Sequence, residues 1–252
     1  MTDGLTSAVR GLTGLGRLLP LGGPRDGAWI AEDAARGVLR AAVRGLPGAR
    51  LDTLRVGPAD PEGGYESVVP PPPGALPSGP LRVTADFAAT AAEPLPDTAA
   101  RVRDVLAAAA AERLGLVVAE VDLRVTDLLA DVAAEGGDTE NGWRGPADGG
   151  AAREAESVRP SAGPAPGGEE ARAAEAALAV PGVSGLTGVL GRAVRLTEGG
   201  EAPAALPHRH AHVEIAVHAD RRALDVAREV RAAVSQALPD RPTVAVLITA
   251  VG

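Results

Sequence analysis

The sequence predicts an α+β fold made of two tandem two-layer units. Each unit runs helix, strand, strand, helix, strand, with its helices on one face of a small sheet. Three observations predict it. A helical pattern running into a Pro-Gly break occurs twice, at Leu46-Pro47-Gly48-Ala49 and at Val180-Pro181-Gly182-Val183. After each break, an alternating apolar and polar strand leads into an amphipathic helix. After each helix, a valine-rich strand closes the unit.

Each element has a local cause. The breaks sit in AAVRGLPGARLDTLRV (Ala41 to Val56) and AALAVPGVSGLTGVLGRAVRL (Ala176 to Leu196). Pro disfavours helix in the residue before it and Gly permits the turn, so both helices should stop there. In the first strand after the insertion, Leu81, Val83, Ala85 and Phe87 share one face, and Arg82, Thr84 and Asp86 the other. In the second copy Val213, Ile215 and Val217 form the apolar face, because side chains alternate along a strand. His210, His212, Glu214 and His218 fall opposite. Asp97 or Thr98 should cap the next helix of the first copy, and Asp220 that of the second. Their apolar stripes are Val102, Val105, Leu106 and Ala109, and Val226, Val230 and Val234. The closing strands are Val117 to Val125 and Thr243 to Val251.

These signals divide the chain. Residues 1–27 form an N-terminal segment, 28–132 the first unit, 133–168 a linker and 169–252 the second unit. The linker is polar and rich in Gly, Pro and acid, with no apolar period, and should be flexible. Trp143 inside it should touch a unit casually or serve as a docking anchor. A Pro-rich insertion (68–80) interrupts the first unit, and its Pro70 to Pro73 should act as a stiff polyproline II connector between two strands. In the N-terminal segment, Val9, Leu12, Leu15, Leu18 and Leu19 lie near helical spacing, with Arg10 and Arg17 between them. A short amphipathic helix is expected there, docked on the first unit or else on a partner or a membrane surface.

Composition narrows the function. The net charge of −8 argues against a nucleic-acid partner, which needs a basic footprint, and against attraction to an anionic membrane surface. No stretch reaches the roughly 18 apolar residues of a membrane span, and the opening lacks the pattern of a signal peptide. A cytoplasmic protein is expected, with no direct membrane insertion. The absence of cysteine excludes disulfides, thiolate catalysis and cysteine-bound zinc. All basic residues are arginine, and aromatics are only 2%, so the core must be built from Ala, Val and Leu.

The pattern AALAVPGVSGLTG, a variable loop, HVEIAVHADRRALDVAREVRAAVSQAL and TVAVLITAVG resembles the alkaline shock protein family of cell-envelope stress proteins. Val180, Pro181, Gly182, Val183, Gly185 and Leu186 occupy the turn positions of that family; Leu46, Pro47, Gly48 and Ala49 form a more diverged copy. The resemblance implies a small, non-enzymatic cytoplasmic protein that self-associates or docks at the inner membrane face through an integral partner. The fusion of two copies departs from the family and suggests a built-in pseudo-dimer. The opening LGRLLPLGGPRDGAWIAEDAARGVLRA also resembles high-GC Gram-positive proteins, some of which carry a nucleopolyhedrovirus p-ten family label. A fibrous protein needs sustained heptads, and this chain has strands and Pro-Gly breaks instead.

The histidines are the one chemical cluster. His208, His210 and His212 lie two residues apart, on one strand face at spacings of about 7 Å. With Glu214 as a fourth ligand they could hold zinc, copper or nickel if the strand bends. The blander reading is a solvated strand face titrating near its ordinary value. No phosphate loop follows a strand, no G-x-S-x-G elbow occurs, and Ser184 and Ser235 have no histidine or acid at suggestive spacing. The expectation is therefore a scaffold or adaptor, with no enzyme activity and no cofactor, acting in envelope maintenance or stress response. A metal-responsive module is the alternative.

Overall fold

The computed structural model describes residues 15–129, 168–198 and 209–252. Val9, Leu12, Trp143, His208 and most of the predicted linker lie outside the described residues. The architecture is α+β: a layer of helices lies between a large mixed sheet and a three-stranded sheet.

The small sheet belongs to the first half of the chain. Helix α1 (Glu32–Arg44) leads through the Pro47-Gly48 turn into β3 (Ala49–Pro58). Strand β4 (Leu81–Thr90) pairs antiparallel with β3. Helix α2 (Leu95–Ala108) and a π-helical turn (Ala109–Leu114) cross over to β5 (Val118–Leu129), which pairs parallel with β4. The second half runs in the same order. Helix α3 (Glu169–Leu178) is followed by β6 (Val183–Leu186), β7 (Val194–Thr197), β8 (His210–Val217), α4 (Ala223–Ala237) and β9 (Thr243–Val251). Strands β6 and β7 both pair antiparallel with β8, at its opposite ends, as one strand broken by the Thr187–Ala193 connection.

The two Pro-Gly turns do the same work. Gly48 has φ +75° and Gly182 has φ +99°, the left-handed region glycine tolerates. The Gly48 carbonyl accepts the N–H of Thr90 at 2.9 Å, and the Gly182 carbonyl accepts that of His218 at 2.9 Å. Each turn thus ties the helix exit to the far end of the second strand.

At Leu18 and Leu19 the chain departs from the helical pattern predicted there. Beyond Leu15 it forms a hairpin of β1 (Leu18–Leu21) and β2 (Ala28–Ala31), and β2 pairs parallel with β9, Ala28 opposite Val246 and Ile30 opposite Ile248. The large sheet therefore has the order β1-β2-β9-β8-β6, with β7 also on β8. The first half of the chain completes the sheet of the second. LLPL and AWIA are apolar on both faces because both faces are covered, so they show no strand period. The predicted caps also differ. Helix α2 begins at Leu95 after Pro94, with Pro96 in its first turn, and α4 begins at Ala223; neither start has a side-chain cap. Proline at a helix start supplies φ in advance and lacks an N–H that would need capping.

One continuous core joins both halves. Helix α1 packs on β3 and also on β9, and α4 packs on β9, β2 and α3. Leu39, Leu54, Phe87, Leu106, Val226 and Ile248 all lie within this core. A second cluster covers the outer face of the large sheet. There Leu18, Trp29 and Leu247 meet Leu15, Leu190 and Val69. Val69 comes from the Pro-rich insertion, which connects β3 to β4 and docks on this face as a strap. Val68 N–H donates to Pro24 O at 3.0 Å, and Leu76 N–H donates to Leu18 O at 2.9 Å. No described helix is long and apolar enough to cross a membrane.

Candidate functional site

The histidine face is not the solvated surface predicted from its alternation. His210 is half-buried, His212 is 9% exposed and Glu214 is fully buried. The reason is the cover just described, since the connection between β6 and β7 folds over β8. The Glu214 carboxylate accepts the N–H of Leu190, at 3.2 Å for Oε2. Burial raises the Glu214 pKa, against the pull of the Leu190 and Val189 N–H groups and of Arg195. Burial also lowers the His212 pKa to about 4, helped by the charges of Arg195 and His210, so its ring is neutral at pH 7. Among the described residues, neither ring nitrogen of His212 has a hydrogen-bond partner. His210 Nδ1 is 2.9 Å from the Thr243 hydroxyl. Among the described residues no group of three His, Asp or Glu is placed to hold a metal. His210, His212 and Glu214 share a face of β8, where alternate residues stand about 7 Å apart. Pro47, Gly48, Pro181 and Gly182 are structural turns.

A groove of about 830 Å³ is open and runs between α1 and β3. Arg17, Arg36, Arg40 and Arg55 line it together with Glu32, Asp52 and Asp86. All three acids already face a cation: Glu32 Arg17 at 3.1 Å, Asp52 Arg50 at 3.2 Å and Asp86 Arg124 at 3.5 Å. The groove closes a strand edge. Arg17 Nη2 donates to Val56 O at 2.6 Å, Val56 N–H donates to Glu32 at 3.4 Å, and Arg40 Nη2 donates to Asp52 O at 3.1 Å. Side chains thus answer the outward backbone groups of β3, a common protection for an edge.

The other strand edges differ in length and cover. The edge at β1 has four residues and receives the strap at Leu18. Strands β6 and β7 are four residues each. Strand β5 has twelve residues and, among the described residues, pairs only with β4. Arg103 Nε reaches Val121 O at 3.3 Å. That carbonyl therefore faces away from β4, and by alternation so do the backbone groups of Leu123 and Val125. Beside this edge Leu128 is 58% exposed. On the solvent face Arg82 bonds Glu120 at 2.6 Å and lies 3.5 Å from Asp122, which gives a surface of mixed charge.

The sequence carried the alternation of β5 but not its edge position. Which strand ends a sheet is set by the pairing order, and nothing local encodes that order. Neither a protein-family model, a curated protein nor a solved structure matches the chain.

Proposed function

We propose that this chain is a non-catalytic adaptor that binds a protein partner by pairing an extended segment with β5. The observation that carries this reading is the long edge of β5, unpaired among the described residues, with Leu128 exposed beside it. Backbone pairing gives affinity in such strand addition, and flanking side chains give register. The neutralised carboxylates of the α1–β3 groove support a binding role over acid–base chemistry. The resemblance of the Val180-to-Val183 turn and its following strands to alkaline shock proteins supports a place at the cytoplasmic side of the envelope, in its maintenance or stress response. An integral membrane anchor protein is the proposed partner, and a second copy of the chain is the competing one.

The test is in-cell crosslinking from a photoreactive residue at position 122, followed by mass spectrometry. Two variants accompany it. Leu123→Pro removes an N–H on the open side, and Leu128→Glu changes an exposed side chain and touches no core. Adducts lost in both variants, with thermal unfolding retained, support strand addition. Recovery of an integral membrane protein supports the envelope role, while recovery of the chain itself alone removes that role and leaves self-assembly. Absence of any adduct from position 122 overturns the reading.

A further inference from the structure

A second groove, about 440 Å³, lies between α4 and the start of β9. Its lining includes Arg228, Arg231, Ser235, Arg241 and Thr243, and no acid. In a chain of net charge −8, a groove lined by three arginines and no carboxylate calls for a physical reason.

The three guanidinium groups are differently engaged. Arg228 forks onto the Asp26 carboxylate at 2.9 and 3.2 Å and is also 3.7 Å from Asp225, so its charge is balanced. Arg231 is held by uncharged oxygens: its Nη1 donates to Arg25 O at 2.5 Å and to Asp26 O at 3.1 Å. These bonds fix the guanidinium beside the Asp26 carboxylate, which it shares with Arg228. Arg241 is exposed and makes no hydrogen bond or ion pair through its side chain within the described residues. Its backbone has φ +46°, and it is the one non-glycine residue with positive φ among the described residues. Such a conformation costs about 1 kcal/mol for a side chain other than glycine. Glycine would relieve that strain, so a change to glycine removes the side chain without a backbone penalty. The last turn of α4 adds only about half a negative charge, so the local balance stays positive.

We propose that this groove binds a phosphate monoester dianion. Three guanidinium groups set against the one Asp26 carboxylate that Arg228 and Arg231 share leave a positive surplus that matches a dianion. Planar forks from an α4 position and from the turn before β9 approach it from different elements, and the Ser235 hydroxyl supplies a neutral donor. A tetrahedral phosphoryl group presents several oxygens to such converging donors, whereas a carboxylate presents two in one plane. The site is independent of strand addition at β5, which belongs to the other sheet. The phosphate could come from a soluble phosphorylated metabolite or from a lipid headgroup such as that of phosphatidic acid.

The test uses the full chain. Thermal unfolding is followed with millimolar inorganic phosphate or glycerol 3-phosphate, against sodium chloride of equal ionic strength. A phosphate-specific rise in Tm is expected for the parent chain. Arg241→Gly should fold at least as well, because glycine accepts the positive φ, yet weaken phosphate binding by about tenfold or more. Arg241→Lys should retain part of it. Vesicles of phosphatidylcholine, with or without phosphatidic acid, separate the two sources. Sedimentation with phosphatidic acid that is lost in Arg241→Gly supports the lipid headgroup; a phosphate shift without vesicle binding supports the soluble ligand. No phosphate-specific shift in the parent chain, or an equal shift in Arg241→Gly, overturns the proposal.

Discussion

Gly115 and Leu224 touch so closely that a Cβ added to Gly115 would lie 2.4 Å from Leu224 Cβ. Gly115 caps the π-helical turn of the first half with φ +87°, and Leu224 lies in the first turn of α4 of the second half. The Gly115 carbonyl also accepts the N–H of Gly22 at 3.1 Å, which ties in the N-terminal hairpin. Three parts of the chain that are remote in sequence meet at this glycine. Gly115→Ala should cost about 2–4 kcal/mol, combining overpacking with a left-handed backbone. Gly37→Ala is the contrasting change. Gly37 is exposed within α1 and has open space around it, so alanine there should stabilise by about 0.5–1 kcal/mol. Urea unfolding of the two variants checks both signs.

Glu32 should set part of the acid limit of stability. Burial pushes its pKa up, but the hydrogen bonds and charge of Arg17 and the N–H groups of Val56 and Arg17 bring it below the usual glutamate value. A carboxyl with a lowered folded pKa contributes stability above its unfolded pKa and loses it as pH falls through the folded one. Glu32→Gln should therefore cost about 1.5–3 kcal/mol at neutral pH. It should also flatten the acid limb of a stability–pH curve measured by urea midpoints. A variant as acid-sensitive as the parent chain would contradict this.

His212 and Glu214 should act with opposite signs. The His212 ring stays neutral in the folded chain down to about pH 4, while in the unfolded chain it takes a proton near 6.5. Stability is present above 6.5 and is lost as pH falls towards 4, by about 3 kcal/mol. His212→Leu should remove this slope, and should stabilise at neutral pH because both ring nitrogens are buried without partners among the described residues. Glu214 has a raised pKa, so its contribution is lost as pH rises through that value. Glu214→Gln keeps an oxygen for the Leu190 N–H and should raise stability at and above neutral pH. Unfolding curves across the pH range separate the two residues.

The strap gives a test of the outer cluster. Val69 is 1% exposed, and Tyr65, four residues earlier, is 65% exposed. Val69→Ala should cost about 1.5–3 kcal/mol through lost burial and a cavity. Tyr65→Ala should stay within about 0.5 kcal/mol of the parent chain. Equal effects would mean that the Pro-rich insertion does not pack as described.

Much of the secondary structure is legible in the sequence, for local reasons. Leu81, Val83, Ala85 and Phe87 alternate with polar residues, and that face alone is buried, so period and burial agree. The Pro-Gly breaks demanded turns, and Gly48 and Gly182 adopt the left-handed backbone that only glycine takes easily. The candidate site was less legible. The same alternation marks β5, whose solvent face is wet, and β8, whose second face is covered. His210, His212 and Glu214 look like a wet face because polar residues usually are; only the connection folded over them makes them buried.

The sequence by itself determined the helices, most of the strands, the two turns and the absence of thiol chemistry. Residue type and spacing act over a few residues and are complete within each segment. The tertiary structure decided that β2 pairs with β9, that one core serves both halves, that the Pro-rich insertion is a strap and that β5, among the described residues, pairs on one side alone. Those outcomes depend on which surfaces meet across long stretches of chain. Apolar burial is non-directional, so composition supplies the drive while shape and hydrogen-bond pairing select the partner.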